Sequence, residues 1–249
     1  MLKRLLSFTA ALGLLLSADV SSAASLMIDD FENPTPAGVL LIGVNQPNGK
    51  PFQELGAPIT IGNQRDVMVE VLGTPKANSA QVLIGHDDDL FDRGIFQFAT
   101  ASDPASVVTL QYDGEDVNTE ELDNAHALQQ LVLPDGGITI NFLSVDAPVS
   151  GNLDVIIRLS SNGVQATYSG EVGETGDPSE LYAPYLEFDV EDGFNFADVN
   201  SFEFVFNSAG QVDVDFVVDQ IWTVVPEPST WALGLLSLVG IAIARRVRR

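Results

Sequence analysis

The chain has 249 residues, 45% of them hydrophobic, 21 glycines, 13 prolines, no cysteine and a formal net charge of −24. Such an acidic surface repels phosphate backbones and anionic lipid headgroups, which excludes nucleic acid and acidic membrane surfaces as partners. With no cysteine, no disulfide can brace the fold, so its stability must come from burial, with a bound metal as the one further source.

Residues 1–24 read as a secretory signal peptide: Lys3 and Arg4 form the basic start, Leu5 to Leu16 the apolar core. Ser21, Ser22, Ala23 and Ala24 supply small residues for cleavage. Without residues 1–24 and the last 24 residues, five basic and 33 acidic side chains remain, a net charge of −28 on residues 25–225. About 200 residues suffice for one domain with a substantial core.

That segment reads as short strands divided by turns. Expected strands run Leu26 to Phe31, Gly38 to Val44, Asp66 to Leu72, Gln81 to Ile84, Ile95 to Thr100 and Val107 to Tyr112. They continue at Ala127 to Leu133, Ile138 to Val145, Leu153 to Leu159, Val164 to Gly170, Tyr185 to Val190, Ser201 to Asn207 and Gln211 to Ile221. Alternation is clearest late in the chain. Phe202, Phe204 and Phe206 share one face. Val212, Val214, Phe216 and Val218 oppose Asp213, Asp215 and Asp219. One apolar and one acidic face is the pattern of an antiparallel sheet with one side in water. Asn162-Gly163 between two strand patterns predicts a two-residue hairpin. Thr119 to Gln130, with Thr119 as cap, is the one stretch with a helical pattern. The fold class that follows is all-β, an antiparallel β-sandwich of jelly-roll type, flanked by the signal peptide and by a single hydrophobic helix at the C-terminus.

Signatures of catalysis are missing: the chain has no G-x-S-x-G, no phosphate-binding loop and no cysteine nucleophile. Two carboxylates facing each other across a groove can hydrolyse a glycoside, but among 33 candidates the sequence selects no pair. His86-Asp87-Asp88-Asp89 reads as an exposed acidic loop, since its spacing does not follow a calcium-binding EF-hand. Neither His86 nor His126 has a metal-ligand partner pattern. Arg65 is followed directly by Asp66, and a buried or half-buried salt bridge is its expected role. Sugar binding needs aromatic platforms. Tyr112, Tyr168, Tyr182, Tyr185 and Phe91 are expected in or beside loops, and Trp222 at the end of the last strand.

The C-terminal stretch is the most specific. Pro226-Glu227-Pro228 holds the chain extended and bars a helix before Ser229. Trp231 to Ala244 is apolar, about 21 Å of helix, which is short for a lasting span. Arg245, Arg246, Arg248 and Arg249 then fix its end in the cytoplasm. This arrangement closely resembles the PEP-CTERM sorting signal. The resemblance implies transient insertion in the inner membrane, recognition and cleavage by the membrane protease exosortase, and delivery to the cell surface or extracellular space. The alternative is a plain C-terminal anchor behind a proline-containing linker. Three segments follow: 1–24, 25–225 and 226–249.

A second, looser resemblance links Ile28-Asp29-Asp30-Phe31-Glu32 and Val218-Asp219-Gln220-Ile221 to galactose-binding-like jelly rolls, which open and close with similar strands. It implies that Asp30, Glu32 and Asp219 are oxygen ligands of a structural Ca²⁺, with Asp213 and Asp215 as further candidates. Outward-facing strand carboxylates are the alternative. Gly62-Asn63-Gln64-Arg65-Asp66 is similar to a Gly-Gly-Glu-Arg-Asp stretch of some PEP-CTERM proteins, departing from it at Asn63 and Gln64. The sorting resemblance implies a non-enzymatic matrix protein associated with exopolysaccharide or biofilm. A glycan-active enzyme on the same scaffold and a protein-binding adhesin module remain open beside it.

Overall fold

Two seven-stranded sheets face each other across an aromatic core in the computed structural model. It describes residues 24–32, 38–42, 52–56, 64–74, 76, 79–87, 91–113, 136–147, 149 and 151–225. In chain order the strands are β1 (Ala24–Asp29), β2 (Gly38–Ile42), β3 (Phe52–Gly56), β4 (Gln64–Leu72), β5 (Ala80–Asp87), β6 (Phe91–Thr100) and β7 (Ala105–Tyr112). Then follow β8 (Gly137–Asp146), β9 (Asn152–Ser161), β10 (Val164–Gly173), β11 (Ser179–Pro184), β12 (Asp189–Val190), β13 (Ser201–Phe206) and β14 (Asp215–Val225). The first sheet runs β11-β8-β14-β6-β5-β2, with β1 also on β14; the second runs β12-β10-β9-β13-β7-β4-β3. The chain passes back and forth between the sheets, as a jelly roll requires. Ser25–Val225 forms one compact unit.

The alternation read from the sequence decides which faces meet. Leu153, Val155, Ile157 and Leu159 of β9 are all fully buried, as are Phe202, Phe204 and Phe206 of β13. Phe96, Phe98, Phe142, Phe206 and Phe216 pack ring against ring at 5.0–6.2 Å between centroids. Glu203 and Val205, on the outer side of β13, are buried as well, since β13 lies inside its sheet between β9 and β7. The hairpin at Asn162-Gly163 forms with both residues at positive φ, 52° and 82°. Ser161 then pairs with Val164, the geometry a two-residue turn demands.

Several elements depart from the pattern. β3 and β11 were not legible as strands. Pro178 and Pro184 bracket β11 and mask its alternation. Tyr185 to Val190 is not one strand: Tyr185–Glu187 is a 3₁₀ turn behind Pro184, and only Asp189–Val190 pairs. The expected strand from Gln211 begins at Asp215. Ahead of it, Asn207 ties the loop by donating to the carbonyls of Ser106 and Gln211 and accepting from Gln211 N. His86 and Asp87 end β5 instead of lying in a loop. The expected helix at Thr119 to Gln130 and strand at Ala127 to Leu133 lie outside the described residues, as do residues 1–23 of the expected signal peptide and the tail from residue 226; Ala24 begins β1.

One buried network ties the sheets together. Arg65 of β4 donates to both carboxylate oxygens of Asp29 on β1, and Tyr112 of β7 donates to Asp29 Oδ2 at 2.6 Å. All three are at most 1% exposed, and the guanidinium lies 4.9 Å above the Phe31 ring. Phe31 holds a positive φ of 57°, fixed where its N–H donates to Asp29 Oδ1 at 2.9 Å. There the backbone of Phe31 presses against β6: a Cβ on Gly94 would fall 2.2 Å from the Phe31 carbonyl carbon. Burial pulls the Arg65 guanidinium down, but the Asp29 carboxylate and the Tyr112 hydroxyl more than offset this and leave it raised. Burial and the Asp29 carboxylate push the Tyr112 hydroxyl well above its ordinary value. Arg65 thus forms the expected buried salt bridge, with Asp29 as its partner.

Candidate functional site

The outer face of the first sheet carries a row of side chains set by register. Tyr182 of β11 stands opposite Thr139 of β8, and Thr139 stands opposite Trp222 of β14. Leu181, Ala183, Ile138, Ile140 and Ile221, their alternating neighbours, point into the core and are buried. Two strand spacings separate the Tyr182 and Trp222 backbones, about 10 Å. Thr139 between them is 2% exposed, whereas Tyr182 is 44% exposed. The next row is polar: Glu180 faces Asn141, and Asn141 faces Gln220.

Gly137 seats the tyrosine. A Cβ there would lie 2.6 Å from Tyr182 Cε2 and 2.7 Å from the Ala183 carbonyl oxygen, so only glycine lets the ring settle over β8. Aromatic rings commonly cover glycines on a neighbouring strand in this way. Gly137→Ala is expected to lift the Tyr182 ring and to cost about 1–3 kcal/mol through overpacking, read from urea unfolding midpoints.

Two bulges turn the face into a cleft. Val217 faces Ser144, Val218 faces Phe142 and Gln220 faces Asn141, so Leu143 and Asp219 are each one residue in excess. Opposed bulges kink both strands and re-aim the side chains beside them. A cleft of about 330 Å³ opens there, lined by residues 141–143, residues 178–180 and Asp219. The slip at Asp219 also reverses the phase of β14. Val218 and Ile221, three apart, are both buried, and Trp222 therefore reaches the outer face instead of the core. Unbroken alternation would have placed Trp222 inside. Asp219 is 8% exposed and accepts from Gln220 Nε2 at 3.3 Å. Ser179 Oγ is buried in the cleft wall with no hydrogen-bond partner among the described residues.

Farther along the same sheet Asp215 lies directly opposite Asp146. Burial raises the Asp215 carboxyl; a hydrogen bond from the Thr100 backbone opposes this, and nearby Asp146 and Asp213 add to the rise. A carboxyl raised on folding destabilises the protein only where the unfolded chain has lost the proton. The cost is absent below the ordinary value of 3.8, grows as pH rises through the shifted value, and stays constant above it. Asp215→Asn is therefore expected to raise the unfolding midpoint at pH 7 and leave it unchanged near pH 3.

The candidate calcium ligands do not converge. Asp30 Oδ1 accepts the N–H of Glu32 at 3.1 Å in a local turn, Glu32 is exposed, and Asp219 lies in the cleft wall. Asp213 sits in the loop before β14 and Asp215 within that strand. Among the described residues no three His, Asp or Glu side chains form a group that could hold a metal ion. Of the aromatics expected in loops, Tyr112 and Tyr185 are buried, and Tyr168 packs against Phe188 at the edge of the core. Phe91 begins β6, its side chain outside the described residues. Tyr182 and Trp222 remain, brought together from strands that sequence alone did not pair. A second groove, about 180 Å³, lies on the other sheet, lined by Asp154, Ile156, Ser169 and Glu171 among others; among the described residues no aromatic ring lines it.

Flat rings, amides and carboxylates around an open cleft can bind a polyhydroxylated ligand: the rings take its C–H faces, and the polar groups its hydroxyls.

Comparison with solved structures places carbohydrate-binding modules beside this chain. The family 30 module of a cellulosomal cellulase of Clostridium thermocellum superposes with TM-score 0.44 at 13% identity, covering 83% of this chain and 99% of that one. The family 11 module of the same organism, in complex with a β-1,3-1,4-mixed-linked tetrasaccharide, gives 0.40 at 13% identity, covering 82% and 97%. No curated protein matches the chain. The family model for the PEP-CTERM protein-sorting motif matches residues 224–249. Pro226, Glu227, Pro228 and the four terminal arginines fall within it and lie outside the described residues. This chain therefore carries a PEP-CTERM sorting motif behind an antiparallel β-sandwich.

Proposed function

We propose that the protein is an exported, non-enzymatic glycan-binding protein that an exosortase-type protease releases to the cell surface or extracellular matrix. There it associates with exopolysaccharide. The observation that carries the binding assignment is the Tyr182–Thr139–Trp222 row beside the bulged cleft. A chain of pyranose rings laid across the strands meets two aromatic faces about a disaccharide apart, with Asn141, Gln220 and Glu180 one row away to take its hydroxyls. Among the described residues β11 is the edge strand of its sheet, which suits a polymer lying along the face better than an enclosed small sugar. Retention on immobilised neutral polysaccharide, measured by affinity electrophoresis, is the direct test; migration unchanged by every polysaccharide would remove the assignment.

The sorting motif supports the processing step. Intact mass of the protein from native medium is expected to show a chain ending between Val225 and Pro228 when the protease is present. Cells lacking the protease should retain the apolar stretch from Trp231 and the terminal arginines. A mass that includes residues 231–249 in both strains would mean a permanent anchor.

A further inference from the structure

β14 runs into the sorting motif without a linker. The strand ends at Val225, the matched motif begins at Val224, and only residues 226–230 separate the strand from the apolar run at Trp231. Pro226 has no N–H to give a neighbouring strand, so the ladder stops before it. Up to that point the strand end is held down. Trp222 pairs with Thr139, Thr223 with Ile138 and Val224 with Gly137 on β8, and β1 pairs with β14 as well. The Thr223 side chain is fully buried, and its hydroxyl is hydrogen-bonded to the Tyr185 hydroxyl. A cleft that takes a peptide extended engages its main-chain groups as a neighbouring strand would. A cut between Val225 and Pro228 therefore needs backbone groups that the sheet already uses.

Building on the processing proposed above, we infer that the end of β14, Trp222 to Val225, is a latch that must lift from β8 before the tail is cut. Release then follows a local opening of the sheet, with the rest of the sandwich intact. The cut itself is a hydrolysis: water adds across one peptide bond, the new carboxylate ends the released domain, and the new amine leaves with the apolar stretch.

Ile138 and Thr223 stand directly opposite each other, and the chain has no cysteine, so Ile138→Cys/Thr223→Cys allows a single disulfide across the latch. The full chain carrying both substitutions is oxidised, freed of oxidant and incubated with membranes from cells that contain the sorting protease. Intact mass follows the cut. The oxidised form is expected to keep residues 231–249, and reduction to restore cutting. Two further variants test the latch without a cross-link. Tyr185→Phe removes the hydrogen bond beneath the latch and leaves β14 unaltered; where cutting follows the population of the open end, release should quicken about fivefold. Ile157→Val in β9 lowers global stability to a similar degree from the other sheet and should leave the rate unchanged. Equal cutting of oxidised and reduced forms would overturn the latch and leave sorting standing. Equal acceleration by Tyr185→Phe and Ile157→Val would also overturn it, by assigning release to global unfolding. No cutting of the unaltered chain by these membranes would overturn both the latch and the processing on which it rests.

Discussion

Replacing Arg65 by leucine is expected to destabilise the protein by about 3–5 kcal/mol, because Asp29 would remain as a buried carboxylate without its cation. The loss would appear as a lowered urea midpoint with an unchanged slope. The ion pair need not stabilise the fold to produce this effect, since breaking a buried pair strands a charge whatever the intact pair contributed. The second variant separates the two cases. Asp29→Asn combined with Arg65→Leu removes the stranded charge: the Asn oxygen can still accept from Phe31 N, and its amide NH2, at the former Oδ2 position, can donate to Tyr112 Oη. The double variant is therefore expected to be more stable than Arg65→Leu alone. If instead the two losses add, the cost lies in packing of the arginine stem and its stacking on Phe31, and the charge argument is wrong. Either outcome concerns stability only, for Asp29, Arg65 and Tyr112 are closed off inside the sandwich.

On the outer face the largest effect is expected from Trp222→Ala, which should weaken polysaccharide binding at least about tenfold, or ~1.4 kcal/mol. Tyr182→Ala should act in the same direction, and the pair together should abolish measurable retention. Tyr182 is nearly half exposed, so its replacement should leave the unfolding midpoint close to that of the unaltered protein, which separates a binding defect from misfolding. Tyr182→Phe keeps the ring and is expected to retain most of the affinity, as stacking requires. Full retention in the Trp222→Ala/Tyr182→Ala double variant would move the binding site elsewhere, with the groove beside Asp154 and Glu171 on the opposite sheet as the next place to test.

What could be read in advance followed from local chemistry. Phe202, Phe204 and Phe206, the alternating aliphatics of β9 and the Asn162-Gly163 turn act over a few residues, and the strand period of two fixed which of them enter the core. The sorting motif was legible for the same reason: two prolines, an apolar run and a basic end act in order along the chain, with no partner needed. The site was not legible. Trp222 faces outward only because β14 slips at Asp219, and a slip of one residue reverses every side chain beyond it. Nothing in Val218-Asp219-Gln220-Ile221 marks that slip, since it is made jointly with the extra residue Leu143 on β8. Tyr182 was hidden between two prolines in β11, which pairs with β8. Arg65 was expected in a salt bridge, but its partner, Asp29, lies 36 residues away and on the opposing sheet. The sequence by itself determined the strongly alternating strands such as β9 and β13, which of their residues enter the core, and the sorting signal, because those depend on neighbours along the chain. Tertiary structure alone decided which carboxylate is buried and which aromatics share a face, because register and bulges depend on strands that the chain brings together only on folding.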